Sequence, residues 1–122
     1  MHKKIVYIDD DIEMINLIKL ILERKNYLFF SALSGQVGLE LIQEKHPDLI
    51  LLDLMMPDVD GWDLYQQIKS NDQIKDIPVV IITAKAQPID RILGIQVAKV
   101  DDYLTKPFKT QVLLDTIEKL MT

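Results

Sequence analysis

The chain contains no cysteine, and this absence excludes disulfide bonds, thiolate metal sites and a cysteine nucleophile. It also has no apolar stretch near the ~20 residues that a membrane-spanning helix needs. Residues 1–6 lack the apolar region of a signal peptide, so we expect a cytoplasmic protein that does not contact a membrane. The net charge of -5 argues against direct binding of nucleic acid.

What is present is the composition of an ordinary globular protein. Hydrophobic residues make up 48% of the chain and charged residues 27%, which is within the usual range. At 122 residues the chain is long enough to bury a substantial core. We therefore expect residues 1–122 to form a single domain.

Short aliphatic and aromatic runs recur along the chain and predict five β-strands. The third run, Leu49–Leu52, has no polar break, which is typical of a strand buried on both faces of a parallel sheet. The five predicted strands are 5–8, 27–32, 49–53, 78–82 and 102–105.

Between these runs, apolar residues repeat at helical spacing and predict five helices. Asp11 is suited to cap the first helix, Ser34 with Gly35 opens the second, and Pro88 suits the first turn of the fourth. The apolar stripes of the five helices are Met14, Ile15, Ile18, Ile21 and Leu22; Val37, Leu41 and Ile42; Leu64, Tyr65 and Ile68; Ile89, Ile92 and Leu93; Leu113, Ile117 and Leu120. Strand and helix therefore alternate, which predicts an α/β fold with a doubly wound, five-stranded parallel sheet.

Polar residues follow the last apolar residue of four of the five predicted strands. Asp9 and Asp10 follow the first strand, Asp53 the third, Thr83 the fourth and Lys106 the fifth. In such sheets, ligands bind beyond the carboxyl ends of the strands. We therefore expect these five side chains to share one edge of the sheet.

The residue types at this edge suit the binding of a phosphoryl group. Carboxylates held close together repel one another, and a hard divalent cation relieves that repulsion. Asp10 and Asp53 suit magnesium better than calcium, which takes more protein oxygens, or zinc, which prefers His or Cys. Lys106 adds a positive charge and Thr83 a hydroxyl donor for the phosphoryl oxygens. Asp53, which stands alone after the central apolar strand, is then the candidate for an aspartyl phosphate.

Several of these residues also have a plainer interpretation. Asp9 and Asp10 could belong to a solvated turn in which Asp11 caps the next helix. Thr83 could be an ordinary strand-end hydroxyl, and Lys106 an ordinary surface lysine. The convergence of four strand ends on one edge favours the functional interpretation.

Five short stretches of the chain form a series. They are Ile-Asp-Asp at 8–10, Leu-Leu-Asp-Leu-Met-Met-Pro at 51–57, Asp60-Gly61, Ile-Thr-Ala at 82–84, and Asp-Tyr-Leu-Thr-Lys-Pro-Phe at 102–108. In this order and spacing, they resemble the receiver domain of two-component response regulators over essentially the whole chain. The resemblance implies a flavodoxin-like sheet with strand order 2-1-3-4-5 and five helices.

The same resemblance implies a role for each acid. Asp53 would accept the phosphoryl group, and Asp10 would bind Mg²⁺ directly. Asp9 would contribute to the metal site through water or a longer contact, and the backbone carbonyl of Met55 would complete it.

The resemblance also implies a conformational switch. Lys106 would pair with Asp53 before the reaction and with a phosphoryl oxygen afterwards, and the Lys106-Pro107 bond would be cis. Thr83 would move in to hydrogen-bond the phosphoryl group while Tyr103 changes rotamer. These changes would repack the surface formed by the fourth helix, the fifth strand and the fifth helix, and that surface would carry the signal.

By this resemblance, the phosphoryl donor would be a phosphohistidine of a sensor histidine kinase or a histidine phosphotransfer protein. The domain would catalyse only its own phosphorylation and dephosphorylation, so it would not be an enzyme in the metabolic sense. The signal would pass to an effector domain or a downstream protein, and phosphorylation could drive formation of a homodimer.

Three other classes of function compete with this one. A phosphorylation-independent interaction module of the same fold usually lacks an acid or the lysine, whereas this chain has all of them. A phosphohydrolase of the haloacid dehalogenase type has the pattern Asp-x-Asp, in which the first acid is the nucleophile and the second is the general acid or base. Here Met55 stands two residues after Asp53, so the second acid is missing. A flavin-binding protein would need a phosphate loop rich in Ser, Thr or Gly after the first strand, which the chain lacks.

The chain departs from the family pattern at two places. Lys99 and Val100 stand where the family usually has Gly-Ala, next to the expected switching surface, which leaves the choice of partner open. Gly38 stands where Ala is common, and we expect it to cost the second helix roughly 0.5–1 kcal/mol.

Overall fold

The computed structural model describes residues 2–56, 61–83 and 102–121. Within them the strands are β1 (Lys4–Ile8), β2 (Leu28–Ala32), β3 (Leu49–Leu52), β4 (Val79–Thr83) and β5 (Asp102–Thr105). The helices are α1 (Ile12–Glu23), α2 (Gly35–Lys45), α3 (Gly61–Lys69) and α4 (Thr110–Met121). None of these four is long and apolar enough to cross a bilayer. The predicted fourth helix, around Pro88, lies outside the described residues, so α4 is the helix predicted as the fifth.

The five strands form one parallel sheet in the order β2-β1-β3-β4-β5, which confirms the predicted flavodoxin-like architecture. β1 and β3 are neighbours, with Ile8 in register with Leu52. The Asp53 N–H donates to the Ile8 carbonyl at 2.9 Å, which joins the two strands at their carboxyl ends. The residues that follow β1 and β3 are therefore brought side by side.

Successive strand residues point to opposite faces of the sheet, and each face carries its own core. Val6 and Ile8 pack with buried residues of α2 and α3, whereas Ile5 and Tyr7 pack with those of α1 and α4. All four residues of β3 are 0% exposed, as the unbroken apolar run predicts. Burial of each such aliphatic side chain contributes about 1.5–3 kcal/mol to the free energy of folding. The two cores therefore stabilise the sheet whose carboxyl edge carries the acids.

Side-chain caps fix the two turns that lead away from β1 and β2. Asp11 is the N-cap of α1, as predicted, and its carboxylate accepts hydrogen bonds from the Glu13 and Met14 N–H groups. The Ser34 hydroxyl accepts a bond from the Val37 N–H at the start of α2. Each cap satisfies backbone donors that have no partner within the helix.

Two glycines allow helices to pack closely against the segments that carry the acids. A Cβ atom on Gly38 would lie 2.5 Å from Cδ1 of Ile8, the residue before Asp9. A Cβ atom on Gly61 would lie 2.4 Å from Cα of Leu54, the residue after Asp53. Close packing against Ile8 therefore explains why a glycine occupies position 38 in spite of its low helix propensity.

Candidate functional site

Three carboxylates meet where β1 and β3 end. Asp9, Asp10 and Asp53 each place one oxygen within 4.8 Å of the other two. Asp9 is 0% exposed and Asp53 3% exposed, while Asp10 lies at the surface. Two acids of the cluster, Asp9 and Asp53, are therefore buried, and the third, Asp10, faces solvent.

The buried Asp9 carboxylate has three hydrogen-bond donors. Its Oδ1 accepts a bond from the Asp11 N–H at 3.0 Å. Its Oδ2 accepts bonds from the Tyr7 hydroxyl and from the Lys106 ammonium, the latter at 2.6 Å. Burial opposes ionisation, but the bonds from Lys106 and Tyr7 outweigh it and hold the pKa of Asp9 below its ordinary value.

Asp53 lies in the same cluster but is far less stabilised as an anion. Its Oδ1 accepts a bond from the Met55 N–H at 3.2 Å, and its Oδ2 lies 3.7 Å from the Lys106 ammonium. Burial raises the pKa of Asp53 to about 7, and the adjacent Asp9 carboxylate adds to the rise. The Met55 N–H and Lys106 oppose this shift only in part.

Lys106 connects the two buried acids from the end of β5. Its side chain is 14% exposed, and its ammonium forms ion pairs with both Asp9 and Asp53. The resemblance pairs it with Asp53, whereas the structure gives Asp9 the shorter contact, 2.6 Å against 3.7 Å. The Lys106-Pro107 peptide bond is cis, as the resemblance implies.

The other residues singled out from the sequence take different positions. Thr83 ends β4 at the same edge, in register with Thr105 of β5, and the structure describes its backbone only. Tyr103 is buried on β5, in register with Ile81. The Met55 side chain is 52% exposed while its N–H contacts Asp53. Residues 57–60, Ala84, Lys99 and Val100 lie outside the described residues.

Sequence reasoning missed Tyr7 as a member of the site. The signal was present, because Tyr7 lies in β1 and Asp9 follows the strand two residues later, a spacing that places side chains on the same face of an extended chain. A tyrosine hydroxyl in an aliphatic run needs a polar partner once it is buried. The nearest carboxylate on that face was therefore the partner to expect.

The donor set of the cluster fits a hard divalent cation. Its side-chain ligands are carboxylate oxygens, which magnesium prefers, whereas zinc prefers imidazole or thiolate. The raised pKa of Asp53 shows that its negative charge is incompletely balanced by the protein groups around it. A cation between Asp10 and Asp53 would supply that balance.

Comparison with known proteins agrees with this geometry. Residues 5–118 match the family described as the response regulator receiver domain. The chain is similar to the BeF3-activated N-terminal receiver domain of RstA from Klebsiella pneumoniae, with 29% identity, a TM-score of 0.89 and coverage of 97% of each chain. It is also similar to the N-terminal domain of a response regulator receiver protein from Methanoculleus marisnigri, with 32% identity, a TM-score of 0.78 and coverage of 98% of this chain and 97% of that one.

A third similar structure is that of a proposed response regulator from Chloroflexus aurantiacus. It has 27% identity and a TM-score of 0.92, with coverage of 99% of this chain and 98% of that one. The match of sequence over residues 5–118 and the shared fold lead to one assignment. The chain belongs to the response regulator receiver domain family.

Proposed function

We propose that residues 1–122 form one receiver domain that accepts a phosphoryl group on Asp53 and acts as a phosphorylation-dependent switch in a two-component system or phosphorelay. The observation that carries this proposal is that two buried acids, Asp9 and Asp53, have different hydrogen-bond and ion-pair partners. Three donors hold Asp9 as an anion, whereas Asp53 keeps a raised pKa and lies farther from the shared Lys106 ammonium, at 3.7 Å against 2.6 Å. Asp53 is thus the carboxylate whose second oxygen is available for chemistry.

The cofactor we propose is Mg²⁺. Asp10, Asp53 and the backbone carbonyl of Met55 would hold it, with Asp9 contributing through water because Tyr7, Lys106 and Asp11 already engage its oxygens. When bound, the ion would neutralise charge on the carboxylate and on the phosphoryl oxygens. The side chains of the protein would carry out the attack on phosphorus and bind the phosphoryl oxygens.

The Met55 N–H holds Oδ1 of Asp53, so we assign Oδ2 as the attacking atom. As the bond from Oδ2 to phosphorus forms, the bond from phosphorus to the donor imidazole nitrogen breaks, and that nitrogen keeps the electron pair. Lys106 lies between Asp9 and Asp53, from where its ammonium can move to a phosphoryl oxygen. Thr83 would donate its hydroxyl to another phosphoryl oxygen.

The proposed output surface consists of the predicted fourth helix, β5 and α4. Tyr103 would change rotamer in step with Thr83, since it lies buried on β5 three residues before Lys106. The proposed partners are a sensor histidine kinase or a histidine phosphotransfer protein on the input side, and an effector domain or downstream protein on the output side. Homodimerisation on phosphorylation would be one form of output.

The proposal is tested by incubating the protein with acetyl phosphate, with and without Mg²⁺, and measuring the intact mass. One added phosphoryl group is expected only with Mg²⁺, and it should be absent in Asp53→Asn. Asp72→Asn is the matched control, because Asp72 is a highly exposed acid outside the cluster. A wild-type protein that gains no phosphate, or an Asp53→Asn protein that still does, would contradict the proposal.

A further inference from the structure

Tyr7 places a buried hydroxyl directly beneath the acidic edge of the sheet. Its ring is 0% exposed and packs in the core shared by α1 and α4. Its hydroxyl donates to Oδ2 of Asp9, two residues further along the chain. An unpaired hydroxyl at this depth would be costly, and the bond to Asp9 avoids that cost.

The Tyr7 hydroxyl and the Lys106 ammonium share one oxygen of Asp9. A carboxylate oxygen offers two lone pairs, and these two donors use both of them at Oδ2. The Lys106 ammonium lies 2.6 Å from Oδ2 of Asp9 and 3.7 Å from Oδ2 of Asp53, and the second distance is beyond that of a hydrogen bond.

We propose that Tyr7 is a positioning residue whose hydroxyl limits how tightly Asp9 holds Lys106, so that the ammonium can leave Asp9 for a phosphoryl oxygen on Asp53. This inference rests on the proposed function of Asp53. Two donors on one oxygen each draw on the same negative charge, so each is bound less strongly than it would be alone. Loss of the hydroxyl would concentrate the charge of Asp9 on Lys106 and stabilise the unphosphorylated arrangement.

A purely structural role for Tyr7 makes a different prediction. If the hydroxyl only satisfied a buried carboxylate, its loss would loosen the cluster and weaken every ligand to a similar degree. A positioning role acts on Lys106, and Lys106 contacts a phosphoryl group rather than the metal. The two roles are therefore separated by comparing the affinity for Mg²⁺ with the affinity for a phosphoryl analogue.

The variant is Tyr7→Phe, which keeps the ring and removes only the hydroxyl. Calorimetry measures the Kd for Mg²⁺ alone, and then the Kd for beryllofluoride at saturating Mg²⁺. The beryllofluoride Kd should rise about three- to tenfold, while the Mg²⁺ Kd stays within about twofold. Such a rise corresponds to part of the free energy of one hydrogen bond to a charged group. Tyr65→Phe, which changes a buried tyrosine of the other core, should alter neither Kd by more than about twofold.

A second measurement requires no ligand. The ¹⁵N signal of the Lys106 ammonium, assigned by its loss in Lys106→Met, reports how firmly that group is held. Its hydrogen exchange should be slower in Tyr7→Phe than in the wild type. Unchanged exchange would overturn the inference.

The remaining outcomes are equally decisive. An unchanged beryllofluoride Kd in Tyr7→Phe, or an equal rise in both Kd values, would overturn the positioning role and leave the assignment of Asp53 intact. A wild-type protein that binds Mg²⁺ but neither binds beryllofluoride nor gains phosphate would instead refute the proposed function, and the inference with it.

Discussion

Asp53→Asn should stabilise the metal-free protein, although it removes the proposed phosphoacceptor. The reason lies in the electrostatics of the cluster, where Asp53 ionises inside a buried site beside the Asp9 anion. Asparagine has nearly the same shape but no charge. Its carbonyl can accept the Met55 N–H that Oδ1 accepts now, and its amide can donate towards Asp9.

The pKa of Asp53 sets both the sign and the size of the effect. It rises from 3.8 to about 7 in the folded protein. Below the lower value both states are protonated, and the folded state suffers no penalty. As the pH rises towards 7 the unfolded state releases its proton first, so the wild-type protein loses stability, by up to about 4 kcal/mol in all.

The comparison is made by urea unfolding in a chelating buffer. The advantage of Asp53→Asn over the wild type should grow by roughly 2–3 kcal/mol between about pH 5 and about pH 8. Asp10→Asn is the control, since it removes a charge from the same cluster at an exposed position and should change the free energy of unfolding by less than about 0.5 kcal/mol.

Two results would refute this reasoning. A difference between Asp53→Asn and the wild type that stays constant across this pH range would show that the pKa of Asp53 in the folded protein is not raised. A wild type that gains stability relative to Asp53→Asn as the pH rises through 3.8, the ordinary pKa of the group, would show that the charge of Asp53 is balanced by protein groups. Either result would mean that the pKa values of Asp9 and Asp53 are not shifted in opposite directions.

Two further substitutions test the packing and charge around the site. Gly38→Ala should destabilise the protein by about 1–2 kcal/mol despite alanine's higher helix propensity, because its Cβ would clash with Ile8. Urea unfolding should show partial recovery when Ile8→Val is added, and a stabilising Gly38→Ala would contradict the packing argument. Lys106→Met should cost about 3 kcal/mol near pH 8, because it leaves Asp9 buried without its cation. Thermal unfolding would measure this loss, and an unchanged Tm would show that Tyr7 and backbone groups suffice for Asp9.

The fold was predictable because its sequence signals are local. The apolar runs predict five strands, and the described strands differ from them by at most one residue at each end, as where β3 stops at Leu52. The sequence predicts that Thr83 follows the last apolar residue of the fourth strand, and in the structure it also pairs with Thr105 and is the last residue of β4. Hydropathy identifies the buried part of a strand, whereas the ladder of hydrogen bonds extends to polar residues at its ends.

The meeting of the three acids follows from the same argument, since parallel strands end at one edge of the sheet. The close packing at Gly38 does not follow. From the sequence alone it is a helix residue of low propensity, and only the structure shows the Ile8 side chain occupying the space of a Cβ atom. Contacts between residues thirty positions apart depend on how closely a helix approaches the sheet, which no local pattern encodes.

The chemical difference between Asp9 and Asp53 was also beyond the sequence, and the reason is specific. Both are aspartates that follow apolar strands, and both are buried, so residue type and position predict no difference between their pKa values. What separates them is the number and charge of their donors: Asp9 has a lysine, a tyrosine and a backbone N–H, while Asp53 has one N–H and a more distant lysine. Those donors come from β1, from the residues after β1 and β3, and from the residue after β5, and their distances are fixed only when the sheet is assembled. Opposite pKa shifts in two adjacent aspartates are therefore a property of the tertiary structure.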